Sequence, residues 1–191
     1  TEPDIATSDG IVHKIDTVLV PAFIELPTLD IVDTAIANNF TTLVDAIVAT
    51  GLEDILRVPN GPYTVFAPTD EAFAALPEGI LEALLLPENL SILEEILLYH
   101  VAEDLVYDDD FEDGDNITML NDELVVVTVV EDASVIRKFR LAKSVKINDA
   151  IVNQQWIDVL TLNGVIHVID SVLLPPGLVL PSVSDESVDF I

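Results

Sequence analysis

Asn163-Gly-Val-Ile-His-Val-Ile-Asp-Ser-Val-Leu-Leu-Pro175 reads as a turn, a strand and a stop. Asn163-Gly164 is a two-residue turn signal, because both residues tolerate positive φ. On a strand, Val165, His167, Ile169 and Ser171 point one way and Ile166, Val168, Asp170 and Val172 the other. Neither face is plainly polar, so the spacing predicts a strand over 164–174 that is covered on both sides for much of its length. Pro175-Pro176 removes two backbone donors and ends the ladder.

The same stretch occurs a second time. Asp9-Gly-Ile-Val-His-Lys-Ile-Asp-Thr-Val-Leu-Val-Pro21 matches it without a gap at an offset of 154 residues, with seven identities that include His and Pro. A separation of this size is one domain, too long for a solenoid repeat. The expectation is that residues 1–22 are the last strand and linker of a preceding, similar domain, that 23–177 form one complete domain, and that 178–191 are an acidic tail or linker. Asp9–Pro21 would then be a strand in need of a partner edge.

Working outward, the 191 residues suffice for one sizeable core. Half of them are hydrophobic and the mean hydropathy is +0.49, so the chain folds despite its charge. Thirty-five acids against seven Lys+Arg give a formal net charge of −28. That opposes binding to nucleic acid and to anionic membrane, whose phosphates need Lys and Arg. It suits salty surroundings or divalent ions, where self-repulsion is relieved, rather than a basic partner. No apolar run approaches the length of a membrane span, so direct insertion is not expected. There is no signal peptide, as for a mature or excised piece of a secreted protein. Cysteine is absent, which excludes thiol chemistry and disulfides.

Taken in order, Thr28 is the N-cap predicted for a first helix, and Phe40–Thr50 form a second that stops at Gly51. Tyr63–Ala67 is a strand. Thr69 or Asp70 caps a short helix, and Glu78–Leu86 is a further helical stretch. Ser91-Ile-Leu-Glu94 is a capping box within the clearest helix, 88–98. From His100 the period changes to two, with strands predicted at 100–102, 117–120, 124–130, 135–140, 144–147, 150–153 and 164–174. Helices first and strands later indicate an α+β fold with segregated layers.

Thr64-Val-Phe-Ala-Pro-Thr-Asp-Glu-Ala-Phe73, Leu98-Tyr-His-Val101 and the Asn163–Pro175 stretch, in this order and spacing, resemble the three signature motifs of fasciclin-like domains. The likeness covers roughly residues 23–177. It implies a compact β-sandwich or wedge with several helices packed on one side, mostly from the N-terminal half. It also implies tandem copies on secreted or cell-surface proteins, and a non-catalytic role in adhesion to cells or extracellular matrix. The implied partners are a cell-surface receptor, a matrix component or glycan, and neighbouring fasciclin-like domains. A carbohydrate- or small-ligand-binding domain with a groove between helices and sheet is the alternative. Glu2-Pro-Asp-Ile5 resembles a segment linked to integrin binding in matrix members of the family. Trp156, Ile157, Asp158 and Val159 stand at the equivalent positions before the second copy, so Asp4, Ile5, Asp158 and Val159 join Tyr99 and His100 as adhesion candidates.

Other residues carry weaker signals. His167 is expected to bond backbone or Asp70 and fix sheet to helix, and Thr69, Asp70 and His167 form a structural set. Tyr99-His100 ends a helix, where the dipole favours a partly charged imidazole; it is read either as an adhesive surface or as packing with a satisfied ring. Asn39-Phe-Thr, Asn89-Leu-Ser and Asn116-Ile-Thr are sequons, with Asn116 the most accessible. Eight acids fall within Glu103–Asp115, but aligning Gly114 with the EF-hand glycine leaves Phe111 and Leu120 at ligand positions. This leaves no metal site and no cofactor, only weak Ca2+ association with a solvated loop. Arg137, Lys138, Arg140, Lys143 and Lys146 gather five of the seven basic residues, as local neutralisation or a docking patch. No enzyme signature appears.

Overall fold

The computed structural model describes residues 5–7, 10–12, 27–137 and 140–181; in 5–7, 10–12, 131–137 and 140–142 it describes the backbone alone. The chain begins with an antiparallel pair, β1 (Ile5–Thr7) and β2 (Gly10–Val12). The remainder of the predicted strand Asp9–Pro21 lies outside the described residues, as do Asp4 and Lys138.

Three helices follow: α1 (Ile31–Ala37), α2 (Thr41–Thr50) and α3 (Glu53–Leu56). The N-cap of α1 is Asp30, not Thr28. Its carboxylate accepts the Asp33 N–H at 2.8 Å and also lies 3.4 Å from the guanidinium of Arg57, which pairs with Asp33 at 2.8 Å. Strand β3 (Tyr63–Pro68) leads into α4 (Asp70–Ala74), capped by the Thr69 hydroxyl, which accepts from Ala72 N–H at 3.2 Å. Then come α5 (Ile80–Leu84) and α6 (Leu90–Leu98). The expected Ser91–Glu94 capping box does not form. A 3-10 turn at Pro87–Asn89 runs directly into α6, so Ser91 already lies inside the helix.

The strands are β4 (Val101–Ala102), β5 (Asn116–Thr118), β6 (Leu124–Arg137), β7 (Arg140–Ile147), β8 (Ala150–Ile151), β9 (Val159–Thr161) and β10 (Gly164–Ile169). One sheet has the order β4-β3-β10-β9, with β3 and β10 parallel; the other is the antiparallel meander β5-β6-β7-β8. Bridges Ala102–Met119 and Val152–Ile169 join the two sheets at their corners.

Strand β10 is the centre of this arrangement, covered on both faces as its sequence requires. Val65, Ala67 and Ile166 face the helices and share a core with Ile47, Leu93 and Ile96. Phe66 and Ile169 face the second sheet and pack with Val125, Val127, Val145 and Ile147. Burying side chains of this size stabilises by about 1.5–3 kcal/mol each.

Two expectations about β10 are corrected. The hairpin turn is Leu162-Asn163, because Thr161 pairs with Gly164. Gly164 is required by space instead: a Cβ there would stand 2.1 Å from the Tyr63 carbonyl oxygen on β3. The strand also ends at Ile169, well before Pro175, since the Leu173 N–H leaves the sheet to donate to the ring of His100 at 2.9 Å.

Candidate interaction surface

The turn after β9 is locked from below. Asn163 is buried, and its Oδ1 accepts the N–H of Ile31 at 3.0 Å while its Nδ2 donates to the Leu56 carbonyl at 2.8 Å. Its own carbonyl accepts the Tyr63 N–H at 3.0 Å. One side chain thereby satisfies an orphan N–H at the start of α1 and an orphan carbonyl at the end of α3.

The loop after β4 is locked beside it. The Thr64 hydroxyl donates to Asp104 O at 2.6 Å and accepts Val106 N–H at 2.9 Å. His167 Nε2 donates to Val106 O at 2.7 Å, and His167 Nδ1 accepts Asp158 N–H at 3.3 Å. These bonds fix the tautomer. The ring packs between Phe66 and Phe111, with centroids 5.7 and 5.2 Å away. Burial holds its pKa below the usual value, so it is neutral and the Asp158 carboxylate at 3.9 Å is no ion pair. That carboxylate accepts Asp108 N–H at 2.8 Å instead. His167 therefore bonds backbone and does not reach Asp70. Asp70 caps α2, accepting from Thr41 Oγ1 at 2.5 Å and Thr42 N–H at 2.9 Å, and the Thr41 hydroxyl chiefly holds its pKa below the usual carboxylate range.

Between these two pinned segments lies an open groove of about 440 Å3. With Val106 pulled inward, its neighbours Leu105 and Tyr107 line the groove together with Leu160, Leu162, Val58 and the prolines Pro27, Pro59 and Pro62. Val58, Leu105, Tyr107, Leu160 and Leu162 are all exposed, Leu160 at 53% and Leu162 at 54%. The side chains of Thr161, Asn60 and Asn163 in the groove are engaged within the protein. Thr161 Oγ1 donates to Gly164 O, Asn60 Nδ2 donates to Asp54 O, and both ends of the Asn163 amide are taken. What remains open to a partner is largely apolar. None of Val58, Leu105 or Leu162 carries a sequence signal, since they come from three separate loops.

Tyr99 and His100 are far from such a surface. They are 1% and 2% exposed. Tyr99 OH donates to Leu124 O and accepts from Asn148 Nδ2, each at 3.0 Å. His100 Nδ1 donates to Ile96 O at 2.7 Å and Nε2 accepts from Leu173 N–H. The pair is packing, and the adhesive reading of it is corrected. Burial also outweighs the helix dipole, pushing the His100 pKa down to about 4. Asp158 and Val159 stand beside the groove, the first engaged with the backbone of Asp108. Ile5 belongs to β1, of which the backbone alone is described.

The two members of the basic cluster whose side chains are described, Lys143 and Lys146, do not share a patch. Lys143 is mostly buried, paired with the Asp108 carboxylate at 3.0 Å and donating to its carbonyl, while Lys146 lies on the opposite face of β7. Arg137 and Arg140 are described as backbone only. In the acidic loop, Asp110 accepts Tyr107 N–H at 2.9 Å and Asp113 accepts Val129 N–H at 3.0 Å. Among the described residues no three His, Asp or Glu groups converge as a metal site would require. Of the sequons, Asn116 and Asn39 are exposed, so Asn39 is more accessible than expected; Asn89 is half-buried and donates to Ala83 O at 2.7 Å. No helix among the described residues is long and apolar enough to cross a membrane.

Comparison with known proteins places this geometry. The family model of the Fasciclin domain matches residues 38–175. Protein sll1483 of Synechocystis sp. is 42% identical over 149 residues, covering 78% of this chain and 74% of that protein. Transforming growth factor-beta-induced protein ig-h3 of Oryctolagus cuniculus is 36% identical over 73% of this chain, and periostin of Homo sapiens 32% identical over 90%. The chain spans only 18% of each of these two. A solved FAS1 domain pair from the insect cell adhesion molecule fasciclin I superposes with a TM-score of 0.65 over 90% of this chain and 57% of that one. At 21% identity that likeness is one of fold.

Proposed function

The chain belongs to the Fasciclin domain family, and on that premise we propose that it is a non-catalytic, extracellular adhesion or matrix-interaction domain that meets its partner through the groove over the Leu162-Asn163 turn. The observation that carries this reading is the groove itself. It presents four exposed aliphatic side chains and the Tyr107 ring on a pinned bed, with the side chains of Thr161, Asn60 and Asn163 already bonded inside the protein. Such a surface suits the apolar anchors of a protein partner. A sugar would ask for convergent free donors and acceptors, so the carbohydrate-binding alternative finds less support here.

The same reading takes residues 1–22 as the last strand and linker of a preceding copy in a tandem protein and 178–191 as an acidic tail or linker. Asn39 and Asn116 are its glycan acceptors if the protein passes through a eukaryotic secretory pathway. The function is tested by coating the chain on a surface, measuring cell and matrix attachment, and probing a glycan array in parallel. Attachment without saturable glycan binding is expected. Saturable glycan binding with no attachment would overturn the proposal in favour of the alternative.

A further inference from the structure

Resting on the groove as the adhesive face, we propose that its occupant is a polypeptide segment with apolar side chains flanked by lysine or arginine, supplied by a protein other than a second copy of this chain. The apolar half follows from the bed: Val58, Leu105, Leu160 and Leu162 gain only from apolar anchors that displace water.

The basic half follows from the rim. The loop that supplies Leu105 and Tyr107 also carries exposed Glu103, Asp104 and Asp110. The cations nearby are committed inside the protein. Arg57, next to Val58, holds Asp30, Asp33 and Glu53, and Lys143 holds Asp108. Among the described residues, the surface around the apolar bed is therefore negative without a free cation beside it. Charge complementarity steers association and rejects partners of like sign. A second copy would bring the same acidic loop and a formal charge of −28 of its own. From sequence alone, the acidity is an answer to salt; at this groove part of it acquires a second use, as a selector of the partner.

Synthetic peptides of roughly twelve residues, each with a central Leu-Pro-Leu flanked by Lys, Ser or Glu, are titrated into the whole chain by fluorescence anisotropy. Lys-flanked peptides should bind saturably, at least tenfold more tightly than Glu-flanked ones, and weaken several-fold as salt rises. The variant L160S/L162S should lose binding, its folding checked by circular dichroism. E103Q/D104N/D110N keeps the apolar bed and should lose the preference for Lys over Glu. Equal binding of Lys- and Glu-flanked peptides overturns the inference, as does binding that survives L160S/L162S. Sedimentation that shows self-association growing with salt would instead name a second copy as occupant and overturn it too. Attachment lost in L160S/L162S but unchanged in the acid-neutralised variant would refute this charge assignment while leaving the adhesive face standing. Attachment kept by both would refute the face itself.

Discussion

The Oδ1 of Asn163 accepts the backbone N–H of Ile31 at 3.0 Å across 132 residues of chain, and the same amide donates to Leu56 O. The turn that floors the groove is thus the joint between the sheet and two helices. Asn163→Ala leaves a buried N–H and a buried carbonyl without partners, at about 1–3 kcal/mol each. The expected outcome is a drop of about 3 kcal/mol in urea denaturation. Asn163→Asp keeps the acceptor but sets a buried carboxylate oxygen against the Leu56 carbonyl, so it should cost at least as much. An Ala variant within measurement error of the parent would contradict the role.

His100 should make the protein sensitive to mild acid. Its imidazole titrates near 6.5 when unfolded and near 4 when folded, because burial disfavours the charge. Between those values the unfolded chain binds the extra proton. Stability from this group is therefore complete above the unfolded pKa and falls as pH drops towards the folded one, by on the order of 3 kcal/mol. Relief of carboxylate repulsion acts in the opposite direction, so the comparison needs a variant. His100→Gln should lower stability at pH 7 and flatten the loss between pH 6.5 and 4.5 in guanidinium titrations. Parallel curves for both proteins would refute this assignment.

Strand β10 was legible because its period and its apolar content are local properties of 164–169. The two-sided burial of Ile166 and Ile169 follows from alternation alone. Other features were illegible because long-range partners decide them. Thr28 and Asp30 are both acceptable caps by type, with Asp the stronger, and Asp30 prevails in company with Arg57. Asp70 reads as a cap for the helix it opens, yet it caps α2, whose Thr41 lies 29 residues earlier. Strand β9 has three residues and takes its register from Gly164, so no periodicity announces it. Strands β6 and β7 pair as far as Arg137 and Arg140, and the sequence between them holds no Gly, Asn or Pro to announce their junction. The groove is assembled from residues 58, 105, 107, 160 and 162, separated by up to about a hundred positions, and only the fold brings them together.

The response to ions separates general screening from a specific site. With a formal charge of −28, melting temperature should rise with NaCl as like-charge repulsion is screened. Calcium at matched ionic strength should add little. The carboxylates of Asp110 and Asp113 already accept backbone N–H groups, and Asp108 pairs with Lys143. A far larger shift with calcium, removed by mutating Glu103–Asp115, would contradict this.

The central claim, that this domain adheres through the groove, is tested most directly by attachment to surfaces coated with the parent chain, with L160S/L162S, and with V130S as a control. Val130 is as exposed as the two leucines but lies on the other sheet and does not line the groove. Attachment should fall at least tenfold for L160S/L162S and remain unchanged for V130S, at equal coating density and with equal melting temperatures. Equal attachment to all three surfaces would contradict the account.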